Sequence, residues 1–170
     1  LDLKLHDIPN TVYKALKNLL NYEVWMTNIH LLGGSEMIKA AREAKEHTKS
    51  STLLIGVSVL TSLSEKNIKD MGFKIEIPEL VKILSTSASL NKIDGVVCSV
   101  KEVPEIKKNL GKDFITVTPG IRIQQKNDDQ LRVATLEEAI KNGSDYIVLG
   151  REITASNNIS KMIKKVESYI

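Results

Sequence analysis

Asp2, Lys4 and Asp7, in the opening run Leu1-Asp2-Leu3-Lys4-Leu5-His6-Asp7, are the ionisable residues whose types and spacing offer chemistry most directly. Strand side chains alternate between faces, so a strand here points Asp2 and Lys4 the same way. Two ionisable groups on the inner face of a buried strand are costly unless they pair with each other or with a ligand. An ammonium held beside a carboxylate is a proton source and a stabiliser of developing negative charge. The competing reading is a salt bridge on an exposed edge strand, and spacing alone does not separate the two. Two further stretches stand out. Thr118-Pro119-Gly120-Ile121-Arg122 leads into a polar run ending Asp128-Asp129-Gln130, a long loop of the kind that more often carries function than not. Gly150-Arg151 directly follows an apolar run, pairing a residue that lets backbone approach a ligand with the side chain best suited to phosphate oxygens.

The elements that must position these residues alternate in type. Leu1–Leu5, Val24–Leu31, Thr52–Val59, Gly95–Val100, Phe114–Val117 and Tyr146–Leu149 read as strands, mostly near-continuous apolar runs of the kind covered on both faces. Val12, Ala15, Leu16, Leu19 and Leu20 form one helical stripe, and a second helix spans about Glu36 to His47. Ser62-x-x-Glu65, Ser99-x-x-Glu102 and Thr135-x-x-Glu138 have the capping-box spacing, Pro78 opens the helix of Leu80, Val81, Leu84 and Ala88, and Gly143 is placed to end another. A helix from near Ser156 carries Ile159, Met162, Ile163, Val166 and Ile170 on one face. Six strand–helix units of this regularity predict a parallel sheet, either open and doubly wound or part of a (β/α)8 barrel. Both architectures bind ligands at the C-terminal ends of the strands.

With 170 residues, 42% hydrophobic and 26% charged, the chain reads as one domain over residues 1–170 with a sizeable core. A net charge of +3, with both signs interspersed, argues against nucleic-acid or membrane partners and leaves room for a local anion site. Cys98 is the only cysteine, so no internal disulfide or thiolate metal cluster can form, and a cytoplasmic setting is expected. No apolar run approaches the roughly 20 residues of a bilayer span, and no signal-peptide pattern is visible. Cys98 reads as a small buried apolar residue. His30 reads as a satisfied strand-end histidine, His6 as support for the opening segment, and Trp25 and Met26 as core or interface packing.

Together these motifs resemble the orotidine 5′-phosphate decarboxylase family. Asp2-Leu3-Lys4-Leu5-His6-Asp7-Ile8-Pro9-Asn10-Thr11 is similar to its D-x-K-x-x-D-I-P-N-T signature. Asn28-Ile29-His30 with Gly33-Gly34, Val57-Ser58-Val59-Leu60-Thr61-Ser62, Val117 to Arg122, Asp129-Gln130, Arg132, and Tyr146 to Thr154 follow in the family's order. The resemblance implies a truncated (β/α)8 TIM-type barrel of about six units, lacking the first two. It implies a lyase of pyrimidine (UMP) biosynthesis that converts orotidine 5′-phosphate (OMP) to UMP and CO2 without cofactor or metal. It implies that Lys4 protonates C6, that Asp2 lies against the substrate carboxylate, and that Asp7, Ile8 and Thr11 reach a neighbouring subunit's site in a homodimer. Thr61 would touch the pyrimidine, Pro119 would line the substrate site, and Arg122, Gln130, Gly150 and Arg151 would hold the 5′-phosphate.

Leu31-Leu32 and Glu152 depart from the family pattern, which commonly has smaller residues and proline there. The aspartate and lysine of the family's first two strands have no counterpart in these 170 residues. Two other readings compete. One is an inactive relic that binds a phosphorylated ligand or only self-associates. The other is a related metal-dependent sugar-phosphate decarboxylase or aldolase, whose D-x-K-x-x-D lacks the I-P-N-T continuation.

Overall fold

Strands and helices alternate along the chain as the apolar pattern predicts. The structure, a computed structural model, describes residues 1–123 and 132–169. In chain order the elements are α1 (Pro9–Leu19), β1 (Met26–His30), α2 (Ser35–Thr48), β2 (Leu53–Val57), α3 (Glu65–Asp70), α4 (Ile77–Leu90), β3 (Gly95–Val97) and α5 (Val103–Leu110). They continue with β4 (Ile115–Thr118), β5 (Ile121–Arg122), β6 (Ala134–Thr135), α6 (Leu136–Lys141), β7 (Tyr146–Ile147), α7 (Arg151–Thr154) and α8 (Ile159–Glu167). Every strand pair is parallel, in the order β1-β2-β3-β4-β7.

The sheet curls into part of a (β/α)-barrel. Trp25, just before β1, and Tyr146, in β7, lie at opposite ends of the strand order, yet their ring centroids are 5.1 Å apart, edge to face. The curl leaves the barrel open along one side. Trp25 is therefore 63% exposed rather than packed in a core, and Leu1, Leu3 and Val148 are exposed with it.

The predicted first strand is the main departure. Only Leu5 makes a β-bridge, to Ile29. The Leu1 amino group donates to Met26 O, and Leu5 N donates to Asn28 O at 3.4 Å. The opening segment thus advances four residues while β1 advances two, so Asp2–Lys4 bulges from the ladder and Lys4 sits at φ +50°. A strand at a sheet edge has no second neighbour to hold it extended, which allows such a bulge. A two-residue parallel pair, β5 with β6, adds to the six expected strands and closes the base of the long polar loop.

Helix ends follow local chemistry, with two corrections. Ser99/Glu102 and Thr135/Glu138 form the expected capping boxes, and Gly143 ends α6 at φ +82°. Ser62 does not cap α3; Ser64 does, with Asn67, because the Glu65 carboxylate is taken by the Ile77 amide at 3.0 Å. The helix expected near Ser156 is α8, opening at Ile159, and a short α7 that the pattern does not predict precedes it, starting at Arg151 itself. In α8, Val166 packs on a small cluster around Ile121 and Leu136, while Ile159 and Ile163 stay exposed. Ile170 lies outside the described residues.

The main core lies between the sheet and α1 to α5, with Leu16, Ile29, Leu31, Ile38 and Leu54 at 2% exposure or less. Full burial of one such side chain contributes about 1.5–3 kcal/mol. Cys98 is buried there as expected, and its apolar surroundings push the thiol pKa far up.

Two aspartates lock the N-terminal ends of the strands. Asp94 Oδ2 accepts from Leu54 N (2.7 Å) and Lys45 Nζ (2.5 Å). Asp145 Oδ2 accepts from Thr116 N (2.6 Å), Thr116 Oγ1 (2.9 Å) and Lys107 Nζ (2.6 Å). Burial pushes the Asp145 carboxyl up, but the hydrogen bonds from Lys107 and Thr116 outweigh it and hold the pKa below the usual value. A depressed folded pKa gives stability that is present above the unfolded carboxyl pKa, near 4, and is lost as pH falls through the folded value. Asp145→Asn is expected to cost about 1–3 kcal/mol at pH 7 and progressively less toward pH 3. Urea midpoints across that range check it, and equal losses at both ends would contradict it.

Candidate active site

In a parallel sheet all C-terminal strand ends lie on one side. Asp7, Ile8 and Thr11 follow the Leu5 bridge, His30 ends β1, Thr61 follows β2, Pro119 and Arg122 follow β4, and Gly150 and Arg151 follow β7. The topology therefore puts predicted site residues from four separate stretches of sequence, with His30 from a fifth, on one side of the sheet.

Lys4 Nζ lies 2.6 Å from Asp2 Oδ2. The pair is not on the inner face of a buried strand as the alternation predicts: the side chains are 43% and 63% exposed. The bulge lifts it toward solvent at the open side. Asn28 holds it from β1. Its Oδ1 accepts from Lys4 N and its Nδ2 donates to Asp2 Oδ1, both at 2.7 Å. Burial pushes the Asp2 carboxyl up, but the hydrogen bonds from Lys4 and Asn28 and the Lys4 charge bring its pKa below the usual value. Asp2 is thus an anion at neutral pH, and it keeps the ammonium oriented.

His30 corrects the sequence reading. Its Nδ1 is buried without a hydrogen-bond partner among the described residues, so it is not a satisfied histidine. Burial, then the charges of His6 and Lys4, lower its pKa and favour the neutral ring. His6 stands against it with ring centroids 5.3 Å apart. His6 also meets Gly33, where an added Cβ would lie 3.3 Å from the imidazole and only 2.2 Å from Met37 Sδ. Gly34, at φ +82°, then turns the chain into α2.

Thr61 is buried, and its carbonyl accepts from Arg132 N at 3.3 Å. Asp7 Oδ1 accepts from Ile8 N at 2.6 Å, and Ile8, the N-cap residue of α1, is 67% exposed. Thr11 is also exposed, Pro119 is half-buried, and Arg122 is buried with Nη1 donating to Ile121 O at 3.0 Å. Gly150 is exposed with open space where a Cβ would stand, and Arg151 begins α7 beside it. Asp128, Asp129 and Gln130 lie outside the described residues.

The family model described as "Orotidine 5'-phosphate decarboxylase / HUMPS family" matches residues 1–166. The chain belongs to this family. It is 46% identical over 167 residues to the orotidine 5′-phosphate decarboxylase of Saccharophagus degradans, covering 98% of this chain and 70% of that one. It is 50% identical over 163 residues to the same-named protein of Carboxydothermus hydrogenoformans, covering 93% and 68%. The crystal structure of orotidine 5′-phosphate decarboxylase from Lactobacillus acidophilus superimposes with a TM-score of 0.85 at 36% identity, over 99% of this chain and 73% of that one.

Family membership sharpens two residues that motif reading quoted but gave no role. Asn28 is one, because its double contact depends on which strand neighbours the opening segment. Arg132 is the other: Nη1 pairs with Glu102 Oε1, and Nη2 donates to Val59 O (2.7 Å) and Leu60 O (3.2 Å). It ties the Thr61 loop to the start of α5 and to the returning end of the polar loop. Their place in the quoted motifs is the only sequence signal for either.

Asn28→Asp sets a carboxylate against Asp2. The expected result is a loss of turnover of roughly 10²-fold, the scale of a small misplacement of a catalytic group, with UMP affinity little changed. The acid limb of the pH–rate profile should move up, because a like charge raises the Asp2 pKa. A purely structural role would lower stability and leave that limb in place.

Proposed function

We propose that this chain catalyses the family's decarboxylation of OMP to UMP, with Lys4 as the acid. The carboxylate on C6 leaves as CO2, its bonding electron pair stays on C6, and a proton moves from Lys4 Nζ to that carbon. The observation that carries this reading is the Asp2–Lys4 pair at 2.6 Å, clamped by Asn28 of β1. A fixed ammonium stabilises charge where it develops and is the proton source once it has formed. Asp2 sits against the leaving carboxylate and keeps the Lys4 side chain oriented.

Thr61 touches the pyrimidine, Pro119 lines the substrate site, and Arg122, Gln130, Gly150 and Arg151 take the 5′-phosphate. Binding energy from the remote phosphate is available to organise the reacting end. The 170 residues are read as one domain corresponding to the last six of eight barrel units, consistent with relatives that extend beyond the matched region. Asp7, Ile8 and Thr11 then face a second subunit's site in a homodimer. Their exposure and the apolar open side support this. A strictly monomeric species by light scattering at micromolar concentration would count against the dimer.

The test is release of labelled CO2 from carboxyl-labelled OMP, with UMP formed in equal amount. It is run on this chain alone and with the preceding two units of a relative supplied in trans. No CO2 in either mixture, from protein that binds UMP, would overturn the proposal. Arg151→Ala should weaken UMP binding about 10- to 100-fold, the loss expected for a charged hydrogen bond of about 1.5–3 kcal/mol. Unchanged affinity by calorimetry would refute the phosphate assignment.

A further inference from the structure

Arg132 holds three successive carbonyls after β2. That strand ends at Val57, and Ser58 still reaches β3, its N–H and its hydroxyl both donating to Val97 O at 3.2 and 2.7 Å. Beyond Ser58 the chain runs outside strands and helices until α3 opens at Glu65. There Val59 O accepts from Arg132 Nη2 at 2.7 Å, Leu60 O from the same nitrogen at 3.2 Å, and Thr61 O from the Arg132 amide at 3.3 Å. A peptide unit is planar, so a carbonyl cannot turn without its whole plane. The planes carrying these three carbonyls flank Leu60 and Thr61 on both sides. Arg132 therefore restrains both backbone dihedrals of Thr61, and with them the direction of its side chain.

The guanidinium is itself fixed from its other edge. Nη1 pairs with Glu102 Oε1, and Glu102 Oε2 accepts from Ser99 N at 2.7 Å. Ser99 follows β3, so the placement of Thr61 is referred to the end of a core strand. The Arg132 and Glu102 side chains are 15% and 10% exposed. A buried ion pair is a weak source of net stability, and its best-attested use is to select one arrangement among several. A planar guanidinium with donors in fixed directions suits that use better than a single ammonium. The phosphate end is braced separately: Ala134 N donates to Gly120 O at 3.1 Å, and β5 pairs with β6 beside Arg122.

We propose that Arg132 is a positioning residue for pyrimidine recognition, which sets Thr61 against the base without touching the substrate. This rests on the reading of Thr61 as the pyrimidine contact. The effect of Arg132 falls on the base end of the ligand and leaves the phosphate end as it is.

The test compares UMP with ribose 5-phosphate, which lacks the base, by calorimetry on the parent and on Glu102→Gln/Arg132→Met. UMP should bind the double variant about 10-fold more weakly, the scale of a side chain that must be ordered on binding, with ribose 5-phosphate little changed. Glu102→Gln alone keeps an acceptor for Arg132 and should retain the parent's preference for UMP. The Leu63 amide, bonded to Leu60 O at 3.0 Å, should exchange faster with solvent in the double variant, while the β2 amides do not. Arg132→Lys presents one nitrogen in place of the fork and should also lose affinity for UMP alone, which keeps the proposal testable if the double variant does not fold. A double variant that keeps the preference for UMP, weakens both ligands equally, or leaves Leu63 exchange unchanged overturns the role of Arg132. A parent that binds ribose 5-phosphate as tightly as UMP overturns the Thr61 reading and this role with it.

Discussion

Lys4→Ala is expected to lower turnover of OMP by roughly 10³-fold or more while UMP affinity stays within a few-fold of the parent. In the proposed mechanism Lys4 acts where charge develops. Its ammonium is held 2.6 Å from Asp2, and removing it leaves the C6 electron pair without either a counter-charge or a proton. The phosphate contacts proposed for Arg122, Gly150 and Arg151 would act in ground state and transition state alike, so a lost acid should appear in kcat and not in product binding. Asp2→Asn should also fail, by a different route, because the ammonium then loses its oriented partner. Single-turnover CO2 release and UMP calorimetry on the same preparations make the comparison, under the conditions in which the parent is active. Retention of a tenth of the parent rate by Lys4→Ala would remove it from the mechanism.

Arg132→Met should cause the largest loss of stability, about 3–5 kcal/mol, the cost of breaking one half of a buried ion pair. The side chains of Arg132 and Glu102 are only 15% and 10% exposed. Burial raises the Glu102 carboxyl pKa even with Arg132 beside it, so desolvation outweighs the attraction. The pair is therefore a poor source of net stability and a costly one to break. In the variant Glu102 escapes by taking up a proton, so the loss should deepen as pH rises from 5 to 8. Glu102→Gln/Arg132→Met, which leaves no buried charge, should recover much of the loss. Urea midpoints for the three proteins across that pH range check it. A single variant within 1 kcal/mol of the parent, or a double variant no better than the single, would contradict the account.

The chain's own pattern determined a good deal. Apolar runs and amphipathic stripes placed five of the six expected strands and most helices, because such patterns are read by nearby water and core regardless of distant partners. Ser99/Glu102 and Thr135/Glu138 cap their helices because both groups of each box lie within one turn. The ordered motifs from Asp2 to Arg151 carried the family, and the family comparisons agree over residues 1–166.

Only the tertiary structure decided the rest. Lys4 left the ladder because the opening segment lies at an edge, and no local signal tells an edge from an interior strand. Asn28 became the clamp of Asp2 and Lys4 only once β1 lay beside them, at a sequence separation of 24 to 26 residues. Trp25 reads as core or interface packing in the sequence, and the structure leaves it exposed along an open side rather than in the core. His30 reads as satisfied, yet its Nδ1 has no partner among the described residues, since partners come from whichever chains pack against the strand end. Arg132 and Glu102, 30 residues apart, meet because β4 and the polar loop return the chain across the start of α5. Short-range periodicity fixes which residues face inward; which of them touch follows from register and curvature, set by the sum of many weak contacts across the whole sheet.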